Sequence, residues 1–115
     1  MKERMIMWND FFSGTLSGNA TRYIEFPFPV AFYKAKSWAT NDSSATIALS
    51  GGTALSIAAQ AIGDSADPAT LTPASTDVVE ADADELITFT LDYDGASGTA
   101  GENVGVILWF LSGEA

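Results

Sequence analysis

The chain contains neither cysteine nor histidine, and beyond residue 36 it carries no basic side chain. Without these residues a disulfide-stapled scaffold, thiol chemistry and the His-dependent nucleophilic triads are all excluded. Long apolar runs are missing too. The longest, Val104–Leu111, falls far short of the ~20 residues a membrane helix needs. The opening MKERMIMWNDFF lacks the apolar run of about 7–15 residues that defines a secretory leader, so none is expected. No segment holds a convincing helical period.

Basic residues are scarce as well as unevenly placed. Five stand against fifteen acids, for a formal charge of −10. That balance argues against nucleic acid, whose binding depends on cations meeting phosphates, and against an anionic membrane surface. Lys2, Arg4, Arg22, Lys34 and Lys36 all fall in the first 36 residues, beside three acids; residues 37–115 hold twelve acids and no base. The surplus negative charge therefore belongs to the body of the chain. Either the few bases are scattered by chance on a soluble acidic body, or the front end is a basic-aromatic arm that docks on an acidic neighbour.

What is present favours strands. With 115 residues, 47% of them hydrophobic, the chain suits one domain with a core that needs neither metal nor disulfide. Residues 85–93, ELITFTLDY, place Ile87, Phe89, Leu91 and Tyr93 on one face and Thr88, Thr90 and Asp92 on the other. After a connection over 94–103, the run VGVILWFL is apolar on both faces. Val104, Val106, Leu108 and Phe110 form one; Ile107, Trp109 and Leu111 form the other. A strand of that kind is covered on both sides. The second face then needs a loop, the N-terminal arm or another subunit to cover it, and Ile107, Trp109 and Leu111 are assigned to an oligomer interface.

Upstream, RYIEFPFPVAF aligns Ile24, Phe26, Phe28, Val30 and Phe32, with Pro27 and Pro29 on the opposite parity, as an edge strand allows. Continuing that parity would bury Lys34 and Lys36, so a bulge is expected near Phe32–Lys34, with Trp38 returning to a buried or interfacial place. Shorter strands are expected near Thr46–Leu49, Thr53–Ala61 and Asp77–Ala81, a short helix at 54–62 being the alternative for the middle one. A polar, Pro-containing loop spans 63–76. Six or seven strands with turn signals between them predict an all-β fold, an antiparallel β-sandwich resembling a jelly roll, over residues 21–115. Residues 1–20, ending in the Gly/Ser-rich SGTLSGN, read as an extended N-terminal arm. Its Met5, Met7, Trp8, Phe11 and Phe12 are the residue types that anchor interfaces, and they are assigned to partner binding, the alternative being that the arm folds back on its own sandwich.

Sites for catalysis or metals are sparse. Asp82, Asp84, Glu85, Asp92 and Asp94 flank a strand at its two ends, where solvated turn carboxylates belong. DYDG at 92–95 with Glu102 is similar to a calcium loop, but the third acid is missing and the glycine comes two places early. A turn built by Asp and Gly is the favoured account, with calcium the lesser alternative. Neither an enzymatic activity nor a cofactor is expected.

The C-terminal third, VVEADADELITFTLDYDGASGTAGENVGVILWFL, resembles small jelly-roll domains of tailed-bacteriophage decoration (cement) proteins and fibre heads. The shared pattern is an Asp-rich turn, an alternating strand, a DxDG-type turn, a Gly/Asn loop and a closing apolar strand. FPFPVAFYKAKSWAT looks like the first long strand of those domains. The resemblance spans residues 22–112 and leaves the first 20 outside it. It implies a structural role on the capsid exterior, with the major capsid protein as partner and a homo-oligomer, a trimer by preference. A carbohydrate- or receptor-binding module of a phage fibre or tail is the alternative, resting on exposure of Trp38 and Trp109.

Overall fold

The computed structural model describes residues 3–51 and 54–113. Lys2 and the chain ends lie outside them. Among the described residues there is no helix, and ten strands form two sheets. The strands are β1 (Glu3–Thr15), β2 (Ala20–Glu25), β3 (Val30–Ala39), β4 (Thr46–Gly51), β5 (Leu55–Ala61), β6 (Gly63–Asp64), β7 (Ala69–Leu71), β8 (Glu80–Ala81), β9 (Leu86–Asp92) and β10 (Glu102–Gly113). The first sheet runs β1-β10-β3, its far side finished by the short β6, β7 and β8; the second runs β2-β9-β4-β5. Apart from the β4–β5 hairpin and the short β6–β8 pieces, each strand crosses to the opposite sheet. This is the strand order of a jelly roll.

Alternation fills the space between the sheets. Ile87, Phe89 and Leu91 on β9 face Val104, Val106, Leu108 and Phe110 on β10, all nearly or completely inaccessible. Aromatic rings tie the layers together. Phe89 from the second sheet packs against Trp8 at 5.5 Å and Phe12 at 6.4 Å from the first. Phe110 meets Phe32 and Phe26 edge-on, at 5.9 and 5.3 Å. Edge-on and offset contacts are the favoured aromatic geometries.

Several expectations change here. The segment read as an arm is, over residues 3–15, the outer strand of the first sheet, paired antiparallel with β10 along its length. Its Ile6, Trp8 and Phe12 project inward and pack on the core. The run RYIEFPFPVAF is two strands in different sheets rather than one edge strand. Two prolines two places apart lack the N–H groups a ladder needs, and the chain turns the corner between β2 and β3 there. Parity survives the turn because both ends point into one core. The strand expected near Thr53–Ala61 is present over Leu55–Ala61, with Thr53 outside the described residues. The alternative helix is not formed, since Leu55 and Ile57 alternate into the core and tertiary burial overrides alanine's helical preference. The 63–76 loop contains the two short strands β6 and β7.

The expected bulge is present. Trp109 pairs with Lys34 and Phe110 with Phe32, leaving Tyr33 as the extra residue. That one insertion resets the parity of β3, so Ala35 and Ser37 turn inward while Lys34 and Lys36 turn out.

Where the two sheets lie open beside each other, at β1 and β2, Arg22 bridges them. Its Nε donates to Asp10 Oδ2 at 2.8 Å, and its guanidinium lies 4.6 Å from the centre of the Phe12 ring. Both side chains remain 30–44% exposed, so solvent screens the pair. Arg22→Ala is expected to cost about 1 kcal/mol or less in urea unfolding.

Candidate interaction surface

The outer face of the first sheet follows from the register. Residues directly opposite in an antiparallel pair share a face, and four rows cross the sheet on its outer side. Phe11, Gly105 and Trp38 form the first; Asn9, Ile107, Lys36 and Thr70 the second; Met7, Trp109 and Lys34 the third; Met5, Leu111, Ala31 and Glu80 the fourth. Met5, Met7 and Phe11 are 54–56% exposed. Ile107, Trp109, Leu111 and Trp38 are half-buried against their neighbours. Thus β10, buried on its inner side, presents a second apolar side that, among the described residues, no other strand or loop fully covers.

Two groups of residues singled out for different reasons therefore converge. Met5, Met7 and Phe11, expected on an arm, stand in the same rows as Ile107, Trp109 and Leu111. Trp8 and Phe12 do not join them. They occupy the opposite parity of β1 and face the core, so their assignment to partner binding is corrected. Alternation in β1 was the signal for that division, but methionines on one face and an acid, Asp10, on the other obscure it.

The lysines complete the surface. Lys34 Nζ lies 5.1 Å from the centre of the Trp109 ring and 5.6 Å from that of Tyr33, contacts each worth about 0.5–1 kcal/mol when exposed. Lys36 stands exposed between Ile107 and Thr70. Trp38 lies flat across Gly105, where any Cβ would collide with its indole. Gly105 therefore lets the ring cover the sheet. Trp38 and Trp109 share the face but sit four positions apart along β10, about 13 Å, so they are not side by side.

The carboxylates are occupied with the turn. Asp92 Oδ1 accepts hydrogen bonds from the N–H groups of Asp94 and Ala96, at 3.4 and 3.3 Å, and Asp94 Oδ1 accepts one from Ala96 N–H at 3.0 Å. Asp94, with Asp92 beside it, raises the Tyr93 hydroxyl above its ordinary pKa. Glu102 N–H is held by Asn41. Among the described residues no group of three or more acidic side chains is arranged to hold a metal ion. A pocket lined by Ser50, Leu55, Ser56, Leu86 and Thr88 is shallow and open, and its described lining carries no charged side chain.

Comparison with protein-family models finds no match, and comparisons with curated proteins and with solved structures find none either.

Proposed function

We propose that the chain is a structural assembly subunit that decorates and stabilises a bacteriophage capsid, docking on the major capsid protein through the outer face of its first sheet. The observation that supports this reading is the apolar strip along β10, Ile107, Trp109 and Leu111, with Met5, Met7 and Phe11 beside it. An exposed apolar patch on an otherwise acidic domain marks an interaction surface. Met, Trp and Phe are the types enriched in the centres of such interfaces. Lys34 and Lys36, set among these residues, suit a partner that offers carboxylates around an apolar centre. Binding only the assembled lattice would stabilise it by mass action, with no chemical step.

Co-sedimentation with cognate capsid shells tests the reading. The chain is expected to pellet with assembled shells and not with free capsid subunits; a chain left in the supernatant overturns it. Trp109→Glu is expected to weaken this binding by about 30-fold, roughly 2 kcal/mol, the cost typical of a central aromatic anchor. Its thermal unfolding is expected to stay close to that of the parent chain, because the ring projects away from the core. Retention by immobilised glycans in place of shells would favour the fibre or tail module instead.

A further inference from the structure

The four sheet edges are treated differently. The β6–β8 edge is broken into pieces of two or three residues. Along β5 the register shifts opposite Ile47–Leu49, Ser56 is bridged by Val78 and the Ala58 N–H is taken by Asp77. The β2 edge is six residues long, carries Arg22 and Glu25, and ends at the proline corner. These are the devices by which proteins blunt an edge. β1 has the least of this between Met5 and Phe12: one acid, Asp10, which is paired with Arg22 and takes the Phe11 N–H. It is 13 residues long, about 43 Å, against a longest molecular dimension of 44 Å. Among the described residues its sole strand partner is β10.

The direction of its free groups can be read. Phe11 N–H donates to the side chain of Asp10 at 2.8 Å, so it points away from β10. In an antiparallel strand the N–H and C=O of alternate residues share a side. Met5, Met7 and Asn9 therefore direct their backbone groups to the open edge while their side chains lie on the outer face.

We propose that a second copy of this chain pairs its β1 antiparallel to this one across a two-fold axis, joining the two first sheets into one. Three observations select a second copy. A strand edge paired antiparallel with itself is self-complementary, the requirement of a two-fold interface. Its charge permits the approach: two bodies of net charge −10 repel over most of their surface, whereas Met5–Phe12 carries one acid, Asp10, already paired with Arg22. Pairing also brings methionines and Phe11 of the two copies into neighbouring rows, favourable sulfur–aromatic contacts. The apolar face of each copy then continues into that of the other, which doubles the surface offered to a partner. The assembly is a dimer, in place of the trimer implied by the resemblance.

Light scattering and analytical ultracentrifugation of the full chain test this directly. Twice the chain mass at micromolar concentration is expected, and a monomer there overturns the proposal. Asn9→Pro removes one edge N–H that no strand of its own chain uses, a place where edge strands tolerate proline. Asn9→Lys sets a charge on the seam, which is expected to weaken pairing by about tenfold or more. Circular dichroism and thermal unfolding verify that each variant folds, and both are expected to shift the mass toward monomer. Trp109→Glu, on the face but not the edge, is expected to remain dimeric. Dissociation by Trp109→Glu with the two Asn9 variants still dimeric would overturn edge pairing and make the face the contact between copies. Shell binding is a separate readout, so either reading can fail alone.

Discussion

Deleting residues 3–12 is expected to leave no folded protein, in contrast to the loss of binding alone that removal of a detached arm would bring. The deletion takes away Phe12, 6% exposed, together with Ile6 and Trp8, which pack on the same core. Full burial of such side chains is worth about 1.5–3 kcal/mol each. Their sum reaches several kcal/mol, comparable with the roughly 5–15 kcal/mol that holds a typical domain together. It also strips β10 of one neighbour along residues 104–113, exposing an apolar edge of the kind that aggregates. Expression of the truncated chain, followed by circular dichroism and urea unfolding, is expected to yield aggregate or a species without a cooperative transition. A soluble truncated chain with a sharp transition would show that the sheet closes without β1.

Phe89→Ala is the point substitution expected to cost most, about 3–5 kcal/mol. Phe89 is fully buried at the middle of β9 and is the residue on which Trp8 and Phe12 both rest. Truncation leaves a cavity between the layers that neither ring can fill without abandoning its own contacts. Melting is expected to fall by roughly 10–20 °C. A change below about 1 kcal/mol would mean that the layers collapse onto the space, an outcome seen only where a site can relax freely.

The parts of the fold legible from sequence were those where one side of a strand is apolar and the other is not. Ile87, Phe89 and Leu91 alternate with threonines, and they are buried as that pattern requires. The bulge was legible for the same reason: two lysines fell on an apolar parity, which could not continue. Two features defeat this logic. β1 is apolar on both sides, with methionines outward, Trp8 and Phe12 inward, and Asp10 on the inward parity, so no clean alternation marks it. Its following Gly/Ser stretch reads as a hinge, though it is the crossover to the second sheet. The Phe-Pro-Phe-Pro corner hid a change of sheet because the inward parity is the same before and after it.

The interaction surface was half legible. Ile107, Trp109 and Leu111 follow from the two-sided hydrophobicity of β10 alone. That Met5, Met7 and Phe11 join them depends on which strand lies beside β10, and pairing across nearly a hundred positions is not encoded in local pattern. Lys34, Lys36 and Trp38 needed the exact count of residues through the bulge.

The central place of β10 in its sheet also has a consequence in time. Both β1 and β3 hydrogen-bond to β10, yet it follows them by more than sixty residues in the chain. During synthesis the second sheet can gather β2, β4, β5 and β9 while β1 and β3 still lack the strand between them. Distant pairings of this kind fold slowly, and an unpaired apolar strand is then open to unwanted partners. The same backbone groups of β1 that are free in the finished molecule are accompanied, until β10 emerges, by a second unpaired row. The nascent chain is thus stickiest along the strand that, once folded, is left with an open edge.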